Sequence, residues 1–309
     1  MNKTLACILL ATILTLSACG IPAAATPTAT AAMTPSADLS GEVAEVQPAA
    51  RIVSLAPSNT EILFALGAGS QMVGRDSFSD YPAEAANVAD IGGGLMALNT
   101  ELIVSVKPDL VLASPLTPPE QVAELENLSL NVQVVPNPTT FDELFANLRS
   151  VAALTGHEAQ GEALVVALKG RVDAVTAQVA NATDEPLVYY ELDATDPNAP
   201  YTSGPGTFVS LLIESAGGRN FGADLSGEWV QVSVEELLAR QPDVIVLGDY
   251  TYGGVTAEQV RARAGWEALT AVQQNRVFTF DDNLVSRPGP RLVNGLEAMA
   301  KLLHPDLVR

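Results

Sequence analysis

The chain has 309 residues, 16 Lys and Arg against 36 Asp and Glu, and a formal net charge of −20. So acidic a chain, without clusters of Lys or Arg, excludes nucleic acid as a natural partner, because phosphate binding draws on such clusters. Its two cysteines are Cys7 and Cys19, so everything beyond Cys19 lacks a thiol for a disulfide, a cysteine zinc site or a cysteine nucleophile.

In chain order, Lys3 gives a positive start, and Leu5 to Leu16 form an apolar run shorter than the about 20 residues a membrane span needs. Leu16-Ser17-Ala18-Cys19-Gly20 follows, small residues leading into a cysteine. This run resembles the lipobox of bacterial lipoproteins. The resemblance implies that residues 1–18 are a lipoprotein signal peptide and that Cys19 is lipidated, which would anchor the chain to the membrane. An ordinary secretory signal cut at a small residue is the alternative reading. Residues 19–50 are rich in Ala, Thr and Pro and poor in bulky apolar side chains. Such a segment buries too little surface to offset its ordering entropy and reads as a flexible tether, with a reach on the order of 30 Å.

About 260 residues remain from Arg51 onward, and they alternate strands with helices. Arg51 to Ala56 reads as a buried strand, and Ser58-Asn59-Thr60-Glu61 as a capping box opening a helix that stops at Gly67. Asp109 to Ala113 and Val132 to Val135 read as further strands, with a helix from Pro118 to Asn127 between them. This places an N-terminal α/β lobe at 51–138. Residues 139–181 then carry apolar side chains only at helical spacing, as one long helix or as two in sequence; Gly156 and Gly161 are the candidate interruptions. We assign 139–185 as a bridging helix. The plan restarts in a C-terminal α/β lobe at 186–309, with a strand from Leu187 to Leu192 and a helix from about Thr207 to Ala216. The helix containing Glu101 leads into Pro108-Asp109, and the helix containing Glu235 leads at the same offset into Pro242-Asp243. The fold class is α/β: two doubly wound lobes of one internal design, joined by a long α-helix.

Several segments, in this order and spacing, are similar to the bacterial substrate-binding proteins of cobalamin, haem and ferric-siderophore uptake. They are Arg51 to Glu61, Phe78-Ser79-Asp80-Tyr81-Pro82, Val106 to Val111, Tyr201-Thr202-Ser203-Gly204, Trp229 to Ser233 and Arg287-Pro288-Gly289-Pro290-Arg291. The resemblance runs from Arg51 to the end, is nearest to the cobalamin-binding members, and implies the class III periplasmic binding protein fold with a stiff hinge. It also implies an extracytoplasmic, monomeric carrier that delivers a small molecule to an ABC permease with its ATPase, periplasmic where an outer membrane exists. Glu101 and Glu235 would dock on permease arginines, although both are also ordinary acids of a helix first turn.

Phe78, Tyr201 and Trp229 match cleft aromatics of the cobalamin binders, which suit a corrin ring. Arg287, a loop cation in an acidic chain, is a candidate for an anionic ligand group; Arg291 and Arg75 are lesser ones. Around Gly92-Gly93-Gly94 and Ser114 the chain lacks an aromatic that some cobalamin binders carry as Trp, which leaves a ferric siderophore or haem as the alternative ligand, with Tyr201 or Tyr81 as a haem ligand. The ligand would be a metal-containing chelate, with no resident cofactor and no metal site of the protein's own.

An exported hydrolase is the main alternative class. His157 and His304 are the only histidines, expected at the surface, and no nucleophile elbow, P-loop or dinucleotide fingerprint occurs. A structural or adhesive lipoprotein would explain the anchor and tether but not the repeated lobes.

Overall fold

The computed structural model of the protein describes residues 47–93 and 98–308. The signal peptide, Cys19 and the tether up to residue 46 lie outside the described residues. The last residues assigned to the tether are already part of the fold: Ala49 is buried and donates its N–H to the Leu154 carbonyl at 2.9 Å.

The first lobe runs β1 (Ile52–Ser54), α1 (Pro57–Leu66), β2 (Met72–Arg75), α2 (Thr100–Ser105), β3 (Leu110–Ala113), α3 (Pro119–Asn127), β4 (Val132–Val134) and α4 (Phe141–Thr155). After α5 (Glu158–Val179), the second lobe runs β5 (Leu187–Glu191), β6 (Tyr201–Ser203), α6 (Phe208–Ser215), β7 (Arg219–Asn220), β8 (Trp229–Gln231) and α7 (Val234–Arg240). It continues through β9 (Val244–Leu247), α8 (Tyr250–Gly253), α9 (Ala257–Arg261), α10 (Thr270–Gln273), β10 (Val277–Thr279) and α11 (Leu292–Leu303). The sheets are parallel and share one strand order, β2-β1-β3-β4 in the first lobe and β7-β5-β9-β10 in the second.

The matching Pro-Asp segments do the same work in each lobe. Lys107 and Gln241 follow their helices with φ of 47° and 50°, and the proline after each, with no N–H to donate, keeps the helix from continuing. The Asp109 carboxylate accepts from the Ala50 and Arg51 N–H groups, and Asp243 accepts from the Leu187 N–H, so each aspartate ties the start of β3 or β9 to the start of β1 or β5.

The stretch 139–185 is two helices. Gly156 adopts φ 72°, a conformation that ends α4 at low cost only for glycine, while Gly161 lies inside α5. Helix α4 belongs to the first lobe and folds back along α5, with Arg149 and Glu162 paired at 2.7 Å. The bridge is α5 alone, 22 residues and ~33 Å long. Its first turn packs against α1, and farther along Arg171 bonds Glu297 and Asn294 of α11.

One buried apolar cluster crosses between the lobes. It joins Ile52, Leu63 and Leu110 of the first lobe through Leu148, Val165 and Leu168 to Leu212, Val246 and Leu296 of the second. Each sheet's outer face has its own cluster: Val53, Ile103 and Val111 in one, Tyr189, Ile245 and Trp266 in the other.

Two expectations about polar residues are corrected. Helix α1 begins at Pro57 with Ala56 as its cap and no side-chain cap bond. Glu61 therefore sits past the first turn and faces inward, 3% exposed, where it meets arginines instead of closing a capping box. His304 is buried at the end of α11, with Nε2 3.1 Å from the Gly217 carbonyl, rather than at the surface. His157 caps the start of α5 and is half-buried.

Candidate functional site

Ligands of open α/β sheets bind beyond the carboxyl ends of the strands, where strand order reverses. In the first lobe that edge carries a cavity of about 330 Å³ lined by Leu55, Ala56, Asp76, Phe78, Ser114 and Leu116. A second cavity, about 280 Å³, lies between the lobes, with Pro115, Pro136 and Pro138 on one side and Thr207, Phe208 and Trp229 on the other.

Phe78 is 47% exposed on a turn built by Asp76. The Phe78 N–H donates to Asp76 Oδ1 at 2.9 Å, and the Ser79 hydroxyl donates to Asp76 Oδ2. The Ser79 hydroxyl also meets that of Thr60 on α1, which in turn donates to Ser54 Oγ at the end of β1. Burial pushes the Asp76 carboxyl above its ordinary value, and those hydrogen bonds hold part of the rise back. A buried hydroxyl chain thus ties the Phe78 turn to the sheet and to α1.

Tyr201 and Trp229 come from β6 and β8, an antiparallel two-stranded sheet in the second lobe whose strands are separated in the chain by α6 and β7. Their partners are Gln231 and Ser203, so period-two alternation puts Tyr201 and Trp229 on one face. They are 39% and 38% exposed, and the Trp229 ring is braced by Phe208 at 5.6 Å between centroids. The two strands are held close together at Gly204, whose N–H donates to the Glu228 carbonyl at 2.7 Å. A Cβ at Gly204 would lie 1.8 Å from the Gly227 carbonyl oxygen. Phe78, Tyr201 and Trp229 therefore stand at the carboxyl edges of both lobes, but on separate walls: Phe78 lines the first cavity and Trp229 the second.

Arg287 is not a free cation in the cleft. It pairs with Asp80 at 2.5 Å and approaches Glu61 at 3.6 Å, both in the first lobe, and its side chain is 13% exposed. Arg291, the residue that precedes α11, makes two bonds to Glu61, and its guanidinium lies 3.9 Å from the centre of the Tyr81 ring. The buried Glu61 carboxylate draws both guanidinium groups across the lobe boundary, because an unpaired charge there would be costly. Hydrogen bonding from Arg287 holds the Asp80 carboxyl below its ordinary value. Arg75 is occupied as well, bonding the Ala85 and Asp76 carbonyls and lying 3.5 Å from Asp90. Sequence reading missed this latch, since its partners are separated by 207 and 230 positions.

Glu101 and Glu235 occupy the first turns of α2 and α7, capped by Asn99 and Ser233, and both are exposed. Among the described residues no group of three or more His, Cys, Asp or Glu is placed to hold a metal ion, and no helix is long and apolar enough to cross a membrane.

A family model described as periplasmic binding protein matches residues 52–284. The chain is 35% identical over 261 residues to an uncharacterized ABC transporter substrate-binding lipoprotein, YvrC, of Bacillus subtilis, covering 83% of this chain and 80% of that one. It is 30% identical over 258 residues to a vitamin B12-binding protein of Vibrio cholerae, covering 83% and 90%. Among solved structures, the periplasmic heme-binding protein RhuT of Roseiflexus superposes with a TM-score of 0.73 at 30% identity, covering 82% of this chain and 98% of that one. These likenesses are to solute-binding proteins, not enzymes.

Proposed function

The chain belongs to the periplasmic binding protein family, the binding component of ABC importers, and from that premise we propose that it takes a corrinoid into the cleft between its lobes and hands it to the permease. The observation that carries the choice of ligand is the pairing of exposed aromatic faces with arginines that are already neutralised. Phe78, Tyr201 and Trp229 offer flat apolar surface, whereas Arg287 and Arg291 are committed to Asp80 and Glu61. Such a cleft favours a bulky ligand with amide side chains, as cobalamin has, over one that presents free carboxylates or catecholates. The likeness to the vitamin B12-binding protein supports the same reading.

Haem or a ferric siderophore is the second reading. It is favoured by the exposed phenol groups of Tyr81 and Tyr201 and by the likeness to RhuT. Thermal denaturation with cyanocobalamin, haemin and ferric siderophores separates the two. Ligand at about 100 times its dissociation constant adds ~2.7 kcal/mol, a rise of roughly 5–10 °C for a chain of this size. A rise with cyanocobalamin alone is expected; a rise with haemin and none with cyanocobalamin overturns the assignment.

In this reading Cys19 is the lipidated residue and residues 19–50 the tether, keeping the carrier outside the cytoplasm and near its transporter. The carrier is a monomer that docks through Glu101 and Glu235.

A further inference from the structure

At the carboxyl end of β9 the chain turns through Gly248 into α8. Asp249 occupies the position before that helix, where a carboxylate ordinarily accepts a bond from a helix N–H. Here it makes no cap bond. Its side chain turns inward instead, 2% exposed, and neither carboxylate oxygen receives a hydrogen bond from a described donor. Glu191, the last residue of β5, pairs with Leu247 and accepts from the Gly248 N–H at 2.9 Å, which sets it beside Asp249; it is fully buried and gripped by Arg263 through bonds of 2.5 and 2.8 Å. One guanidinium thus faces two buried carboxylates. The other titratable groups around Asp249 do not relieve this. They are Tyr189 and Tyr190 of β5, Tyr252 of α8 and Asp282 beyond β10, and Asp193 acts on Tyr252 as well. Burial first, and the neighbouring Glu191 second, raise the Asp249 carboxyl to about 7.

Helix α8 carries two tyrosines that the sequence comparison did not single out. Tyr250 and Tyr252 are 46% and 60% exposed at the same sheet edge as Tyr201. The Tyr252 hydroxyl donates to the Leu192 carbonyl, and the Leu192 N–H donates to the Tyr201 carbonyl, so the two tyrosines flank one residue.

We infer that Asp249 and Glu191 share a proton, and that this proton positions α8 so that Tyr250 and Tyr252 form a further ligand-contacting wall of the cleft. Asp249 is then a positioning residue that acts through the tyrosines. With the proton present, Asp249 donates to Glu191 and α8 lies down on the sheet. Without it, two negative charges share a buried site with one arginine, and the ionised carboxylate is drawn outward to the open N–H groups of α8 and to water. The tyrosines move with the helix, so affinity falls as pH rises through neutrality.

The affinity arm of the test rests on the inter-lobe binding reading; the other two arms do not. In the mature chain and in Asp249→Asn, the carboxyl titration is followed by carbon NMR, amide exchange protection of residues 250–254 is measured, and cyanocobalamin affinity is determined. The wild type is expected to show one carboxyl titrating near neutrality that Asp249→Asn lacks, with protection at α8 falling over the same range. Its dissociation constant should rise about tenfold between pH of about 6 and about 8, the effect of one pKa unit of linkage, while Asp249→Asn keeps the acid-side value throughout. Replacing Tyr250 and Tyr252 together by Ala should weaken binding at both pH values. An Asp249 carboxyl that titrates in the ordinary range overturns the inference, as does an unchanged pH dependence in Asp249→Asn or wild-type affinity without the tyrosines. If cyanocobalamin binds none of these proteins, the ligand assignment fails, and the titration and exchange arms still decide the shared proton.

Discussion

Replacing Trp229 by Ala removes a ring that is 38% exposed and braced on one side by Phe208. Truncating such an aromatic anchor costs about 2 kcal/mol of binding, roughly 30-fold in affinity, with little effect on folding; titration calorimetry reads the first and urea denaturation the second. The reverse pattern belongs to Glu61→Gln. It leaves Arg291 without its carboxylate in a site 16% exposed, so stability should fall by about 3 kcal/mol in urea denaturation. Two of the perturbed aspartates, Asp80 and Asp249, respond to pH with opposite signs. Asp80 is held below 3.8, so its contribution is present above that value and disappears as pH falls through the lower, folded-state value. Asp249 is raised from 3.8 to about 7, so its contribution is full below 3.8 and is lost as pH rises through about 7. Asp249→Asn should therefore melt above the wild type on the alkaline side, and a melting curve no higher than wild type there would count against the assignment.

At the level of elements, Gly204 and Gly156 set the site and the bridge. A methyl group at Gly204 would collide with the Gly227 carbonyl and push β6 and β8 apart. Gly204→Ala should cost about 2 kcal/mol of stability and weaken ligand binding as well, because Trp229 rides on β8. Gly156→Ala forces a side chain into φ 72° and should cost about 1–2 kcal/mol while leaving affinity intact. The parallel strands and their helices were legible because apolar runs and Pro-Asp links repeat at fixed offsets in both halves. The pairing of β6 with β8 was not legible: the strands are three residues each, set among glycines, and α6 and β7 separate them in the chain. Phe78, Tyr201 and Trp229 could be picked out by position and do lie at the strand ends. The fate of Arg287 could not, since a guanidinium in a loop looks free until the fold brings Asp80 and Glu61 beside it. Nothing in the sequence marks Asp249, because its burial and its place beside Glu191 arise only when β5 and β9 pair.

For the whole molecule, the two lobes present Glu101 and Glu235 on one rigid frame. If they dock on the permease as proposed, replacing both by Gln should abolish uptake of the ligand in a reconstituted importer while changing its affinity for the isolated carrier by less than about twofold, because neither acid lines either cavity. Loss of binding in that double variant would place them in the wrong role. The cluster that runs from Ile52 through Leu148 and Val165 to Leu296 has a further consequence. A boundary drawn through it leaves each lobe only the smaller cluster on the outer face of its sheet, so the lobes are parts of a single cooperative unit. Scanning calorimetry should record one melting transition, and a fragment ending at Thr155 should aggregate. Hydrogen exchange would then show a ligand bound mainly by one lobe slowing the global opening of amides in the other.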